Sequence, residues 1–260
     1  MKKIAVCYKW VLSDADIRVD EKTRSLNMEK CKYQVNEYDR NGLECGVKIK
    51  NASGRELVGI TLGKDTASSA KDALSRGLDS VFYLDDAALA DIDKIGAAKA
   101  LAGIIKKVGE VDVVICSEAS SDDFAQQTGP RIAALLGWPS VSYVTKVEVS
   151  GDAFTLERKL DDGIECVSVA APVVITISPE VGEAPIPGVK DILGAKKKPA
   201  NALALGDTGL SAESLSPAIA TVSVLAPATS RKRQRMNPDG VSLDQAAAAL
   251  VKELSQAGIL

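Results

Sequence analysis

Val113-Val114-Ile115 sits inside a nearly unbroken apolar run, Val111–Cys116, that is the length of a strand and leaves no polar face for water. Such a strand must be covered on both sides, as in a parallel sheet with helices on each face. Lys3–Tyr8, Glu56–Leu62 and Ser80–Asp85 read as further buried strands. Between them Asn36–Lys50, Thr66–Arg76 and Asp91–Val108 suit helices, the last with an apolar stripe at Ile95, Ala98, Ala102, Ile105 and Val108. Asn51-Ala52-Ser53-Gly54 and Gly77 mark helix stops. Asp122–Leu136 reads as a helix with a strained start, because Gly129 and Pro130 fall inside it, and Ser140–Tyr143 as a short fifth strand. Trp10–Lys32 is polar and turn-rich, with a weak strand signal at Ile17–Val19. The alternation predicts an α/β fold with a doubly wound parallel sheet.

After about Lys146 the pattern changes. Val147–Val149, Phe154–Leu160 and Ile164–Val169 alternate and are joined by Ser150-Gly151-Asp152 and Asp161-Asp162-Gly163, which are hairpin signals. Ala171–Ser178 reads as another apolar strand, followed by the Pro-, Gly- and Glu-rich Pro179–Val189 and a short element at Lys190–Ala195. Ala218–Leu225 suits a last strand, and Ser242–Ala257 a helix with Ser242 as its N-cap. The basic runs Lys196–Lys198 and Arg231–Arg235 read as solvated surface, or as contacts to an acidic partner or phosphate.

The chain has no histidine. A Ser-His-Asp triad, a Cys-His dyad and a His-ligated metal are therefore impossible within it. Five scattered cysteines, Cys7, Cys31, Cys45, Cys116 and Cys166, form no CxxC pair, which fits a reducing compartment and predicts a cytoplasmic protein. A formal net charge of −3 gives no global basic field for nucleic acid. No run of about 18 apolar residues is present, so no membrane insertion is expected. The apolar opening after Met1-Lys2-Lys3 ends at Lys9, too early for a signal peptide.

Open parallel sheets bind ligands beyond the carboxyl ends of their strands, where the strand order reverses. Four segments reach that edge: Cys7–Trp10, Val35–Asp39, Leu62–Thr66 and Ser117–Thr128. The last comprises Ser117, Glu118, Ala119, Ser120, Ser121, Asp122, Asp123, Phe124, Ala125, Gln126, Gln127 and Thr128, and is dense in hydroxyls and amides. It follows a buried strand and opens a helix, whose free N–H groups and dipole suit a phosphate. On the plainer reading Ser121 or Asp122 caps the helix and the rest is a solvated loop. Neither GxGxxG nor GxxxxGK[ST] occurs. Asp122-Asp123 lacks further ligands for a metal, so a cap is the better reading of that pair. Trp10 and Tyr38 suit a planar ligand or ordinary packing, and Cys7 and Cys116 suit buried packing.

Several spaced motifs resemble one family along essentially the whole chain. They are the opening Cys7-Tyr8-Lys9, the segment Gln34–Asn41, and the stretch Leu156-Glu157-Arg158-Lys159-Leu160-Asp161-Asp162-Gly163-Ile164-Glu165 followed by Pro172-Val173-Val174-Ile175-Thr176. Ile192-Leu193-Gly194-Ala195-Lys196-Lys197-Lys198, Asp122-Asp123 with Gln127-Thr128-Gly129, and Trp138-Pro139 complete the set. In these the chain resembles electron transfer flavoprotein β subunits, most closely the Fix-type members. The resemblance implies an adenine nucleotide alpha hydrolase-like fold, with residues 1–178 as the nucleotide-binding domain, including a hairpin region from about 147. Residues 179–260 would be a partner-recognition loop and C-terminal arm. It implies a heterodimer with an α subunit that holds most of the electron-carrying FAD, while this chain holds AMP or a second FAD. The family's nucleotide positions fall on Cys7, on Asn36, Glu37, Tyr38 and Asp39, on Leu62 and Gly63, and on Ser117–Thr128. Its recognition loop for a flavin dehydrogenase or quinone oxidoreductase falls on Pro179–Lys190, with Val189 as apolar anchor. Glu37 stands where many members have proline, Gln126 where many have asparagine, and Phe124 where many have a third acidic residue. The competing reading is a stand-alone nucleotide-binding sensor or ATP-hydrolysing protein of the same fold, which the absent P-loop disfavours.

Overall fold

The structure is a computed structural model that describes residues 1–228, 235–236 and 240–260. Nine strands form one sheet: β1 (Lys3–Cys7), β2 (Glu56–Leu62), β3 (Ser80–Leu84), β4 (Val111–Ser117), β5 (Ser140–Ser150), β6 (Ala153–Leu160), β7 (Gly163–Ala170), β8 (Val173–Ile177) and β9 (Ala200–Leu203). Their spatial order is β7-β6-β5-β8-β4-β1-β2-β3-β9. Pairing is parallel from β9 across to β5, and antiparallel only within the β5-β6-β7 meander. The helices are α1 (Glu37–Ser53), α2 (Ala70–Ser75), α3 (Lys94–Val108), α4 (Thr128–Leu136), α5 (Val189–Ala195) and α6 (Leu243–Gln256).

Both faces of the central parallel strands β1, β2, β4 and β8 are dry, as their apolar runs require, whereas the β6-β7 end of the sheet is largely exposed. Ile4, Val6, Val113, Ile115 and Ile175 pack with Leu43, Cys45 and Ile49 of α1 and Ala73 and Leu74 of α2. Ala5, Cys7, Val58, Val114 and Val174 point the other way, against Ala98, Leu101 and Ile104 of α3 and Ile132 and Ala133 of α4. From Ile4 to Cys7 the β1 side chains thus alternate between two cores, and each of the four is buried. At the amino-terminal edge, Arg55 fixes the turn between β5 and β6. It donates from Nε and Nη2 to Asp112, from Nη2 to Asp152 at 2.6 Å and from Nη1 to the Gly151 carbonyl at 3.3 Å.

Several expectations shift. α1 continues through Asn51-Ala52-Ser53 and stops only at Gly54, whose φ of 71° supplies the left-handed cap. Thr66–Arg76 divides into a 3-10 turn, Thr66–Ser69, and the short α2. The helix expected at Asp122–Leu136 begins at Thr128, so Asp122–Gln127 is loop. Gly129 and Pro130 then lie in its first turn, where a missing N–H removes no intrahelical bond. The expected strand Ser140–Tyr143 extends to Ser150 and merges with the first hairpin strand. Ile17–Val19 contributes the two-residue strand Arg18–Val19. No strand forms at Ala218–Leu225, where the backbone is irregular. The last strand is instead β9, whose edge position beside β3 its short sequence did not announce. Lys198 is no solvated charge, because its ammonium donates to the Leu74 and Leu78 carbonyls at 3.1 and 2.6 Å. Of the basic run at 231–235, residues 231–234 lie outside the described residues.

The chain forms two compact units: Met1–Arg18 with Leu26–Val224, and Val19–Ser25 with Leu225–Leu260. The first therefore extends well beyond Ser178 and includes α5 and β9. In the second, Ser242 caps α6 by accepting the Gln245 N–H at 3.3 Å, and α6 has no buried residue.

Candidate functional site

The strand order turns back between β1 and β4, where Val6 lies level with Ile115. Just past their carboxyl ends, three of the expected segments are tied together. The Asn36 side chain is fully buried and donates to the Ala119 carbonyl at 3.1 Å while accepting the Ser121 N–H at 3.1 Å. The Asn36 N–H donates to the Lys9 carbonyl at 3.0 Å. The Asp39 carboxylate accepts the Lys9 N–H at 2.7 Å. Residues 7–10, 36–39 and 117–121 are thus closed into one hydrogen-bonded ring at the switch point.

Asp39 is 5% exposed, and burial pushes its carboxyl up to about 6 against the pull of the Lys9 N–H, Ser117 and Asn36. The Ser117 hydroxyl is buried without a hydrogen bond of proper geometry, yet lies close enough to favour the Asp39 charge. Burial, followed by the nearby Glu180 carboxylate, raises the Glu118 carboxyl. Cys7 and Cys116 lie in the same core, and the Cys7 thiol together with burial pushes the Cys116 thiol well up, so Cys116 does not serve as a nucleophile.

The loop from Ser117 to Gln127 is mostly exposed. Phe124 and Gln126 adopt φ of 49° and 57°, unusual for residues other than glycine. Phe124 meets Tyr38 edge to face at 5.7 Å, whereas Trp10 stacks on Tyr33 at 6.1 Å and belongs to packing. The Gln127 side-chain Oε1 accepts from the Arg131 guanidinium at 2.8 Å, and no side chain caps α4. Two of the loop's three carboxylates are each matched by a lysine from elsewhere in the chain. Asp122 meets Lys9 at 2.7 Å and accepts the Ser120 hydroxyl at 2.6 Å, and Asp123 meets Lys94 at 3.2 Å. Neither aspartate caps the helix; both are ion-paired, whereas the third carboxylate of the loop, Glu118, faces Glu180.

Along β2, Leu62 packs into the core around α3 and Gly63 turns at φ 137°, its N–H on the Leu84 carbonyl at 3.0 Å. The hydroxyls of Thr61 and Thr66 nearby are buried without partners. Of the residues singled out in the sequence, Cys7 and Leu62 are core, Asn36 and Asp39 are buried ties, and Ala119 is buried beneath the loop. Glu37, Ser121, Asp122, Asp123, Phe124, Gln126 and Gln127 are exposed, whereas Tyr38, Ser117, Glu118, Ser120, Ala125 and Thr128 are partly so. Sequence reasoning brought Lys9 to this edge within Cys7–Trp10 but gave its side chain no role, and it missed Lys94. An uncapped start of α4, preceded by a loop rich in hydroxyls and amides, offers N–H and O–H donors suited to a phosphate.

A mainly parallel nine-stranded sheet, flanked by helices and turning back beside this crevice, defines an adenine nucleotide alpha hydrolase-like α/β protein. Residues 25–208, well over half of the chain, match the family model described as Electron transfer flavoprotein domain, and the chain belongs to that family. Proteins of the family bind flavin or AMP, and their domains assemble as α/β heterodimers. No helix among the described residues is long and apolar enough to cross a membrane.

Proposed function

We propose that this chain is a β subunit of a Fix-type electron transfer flavoprotein, holding an adenine nucleotide (AMP or the adenosine end of a second FAD) in the crevice at the switch point. The observation that carries the reading is the position of that crevice. Within a family whose members bind flavin or AMP, this sheet gathers residues 7–10, 36–39 and 117–128 at one reversal point. The uncapped start of α4 faces a phosphate with free N–H groups and a partial positive charge. Gln127 and Thr128 add side-chain hydrogen bonds of about 1 kcal/mol each, more to a charged group. Residues 36–39 and 62–63 close over the adenosine end. The electron-carrying FAD lies mainly on the α subunit and supplies the redox chemistry, while this chain orients and shields. Donors and acceptors are a flavin dehydrogenase, quinone oxidoreductase or ferredoxin-type partner, met through Pro179–Lys190.

Co-expression with the α subunit should give a yellow heterodimer that releases AMP or FAD on denaturation. Gln127→Ala with Thr128→Val should lower the nucleotide held by this chain, measured by chromatography of the released material, without removing the α-subunit flavin. A colourless complex, or nucleotide content unchanged by the double substitution, would overturn the assignment.

A further inference from the structure

Lys9 stands two residues beyond β1, where the three segments of the crevice meet. Its backbone is held on both sides, the N–H by Asp39 at 2.7 Å and the carbonyl by the Asn36 N–H at 3.0 Å. Its ammonium reaches across to Asp122 at 2.7 Å, and the Ser120 hydroxyl donates to the same carboxylate. The side chains of Lys9 and Asp122 are 45% and 40% exposed. An ion pair so wet contributes little to global stability. Its effect is local, because an unmatched carboxylate a few ångströms from a phosphate repels it, and a matched one does so far less.

We propose that Lys9 is a positioning residue for the nucleotide: it holds Asp122 aside and neutralised, and so sets the 117–128 loop to receive a phosphate, without itself touching that phosphate. The inference rests on the nucleotide-site reading above. The geometry favours it over direct contact, since the Lys9 ammonium is already committed to both oxygens of Asp122. It also explains how a loop with two adjacent aspartates, Asp122 and Asp123, can serve an anion.

Calorimetric titration of the full chain with AMP tests it. Lys9→Met is expected to weaken AMP binding about fivefold, an effect that shrinks as salt is raised to about 0.5 M. Lys9→Arg should bind within about twofold of wild type, because it keeps the charge. The decisive variant is Lys9→Met with Asp122→Asn, expected to recover to within about twofold of Asp122→Asn alone, with the thermal midpoint of Lys9→Met barely moved. A double variant as weak as Lys9→Met would mean direct contact between Lys9 and the phosphate, and would overturn the proposal, as would unchanged binding by Lys9→Met. A wild-type chain that takes up neither AMP nor FAD would instead overturn the nucleotide site itself, and is seen before any variant is made.

Discussion

Asp39 is the residue on which the crevice is most finely balanced. Its carboxyl, ordinarily near 4, is pushed to about 6 by burial. The folded state therefore holds the proton more tightly than the unfolded chain does. This contribution to stability is full below about pH 4 and is lost as pH rises through about 6, with a ceiling of roughly 3 kcal/mol. In a chain without histidine, Asp39 brings a titration into the range histidine normally covers. Asp39→Asn keeps an acceptor for the Lys9 N–H and removes the ionisation. Its stability relative to wild type is expected to rise between pH 4 and pH 7, read from urea midpoints. An equal difference at both pH values would show that the carboxyl ionises without cost.

At the scale of elements, the close seating of α4 on the sheet decides where the loop ends. A Cβ built on Gly129 would lie 2.2 Å from the Thr176 methyl and 3.4 Å from the Cys116 Cβ. Gly129→Ala should therefore lift the helix start and destabilise by about 1–3 kcal/mol, as overpacking does, and reduce bound nucleotide more than Ala133→Gly at the other end of the helix. Equal losses of nucleotide from the two variants would show that the seating of the helix start is immaterial. The parallel strands and three of the helices were legible in the sequence because continuous apolar runs and a 3.6-residue stripe come from burial, which composition records directly. The start of α4 was not. Ser121 and Asp122 look like caps, but Asp122 is drawn away by Lys9, a partner 113 residues distant in sequence. β9 was missed for a similar reason: Ala200–Leu203 is short and half exposed, and it becomes a strand only because β3 offers an open edge. The convergence of residues 7–10, 36–39 and 117–128 followed from topology, whereas their ties through Asn36 and Lys9 needed coordinates.

At the scale of the molecule, the first unit presents an apolar group next to α5. Ile186, Val189 and Leu193 are 94%, 76% and 58% exposed. Exposed apolar clusters of this kind mark contact surfaces, which supports the assignment of Pro179–Lys190 to partner recognition. Val189→Asp is expected to abolish electron transfer to the partner dehydrogenase while leaving bound nucleotide unchanged, since a central apolar anchor commonly carries more than about 2 kcal/mol of binding. Transfer at the wild-type rate would place the anchor elsewhere.

The strand order has a consequence for the order in which the chain is made. β1 leaves the ribosome before the other eight strands of the sheet and occupies its middle, between β4 and β2. Its partner on one side arrives by Leu62, but the other side waits for Val111–Ser117. Through that interval a strand apolar from Ile4 to Cys7 shows an open edge, a ready template for pairing with a neighbouring nascent chain. A fragment of residues 1–108 is expected to aggregate or to need a holding chaperone, whereas one of residues 1–208, with β4 and β8 in place, should sediment as a discrete species. A soluble, monodisperse 1–108 fragment would show that some other segment guards the open side of β1 during synthesis.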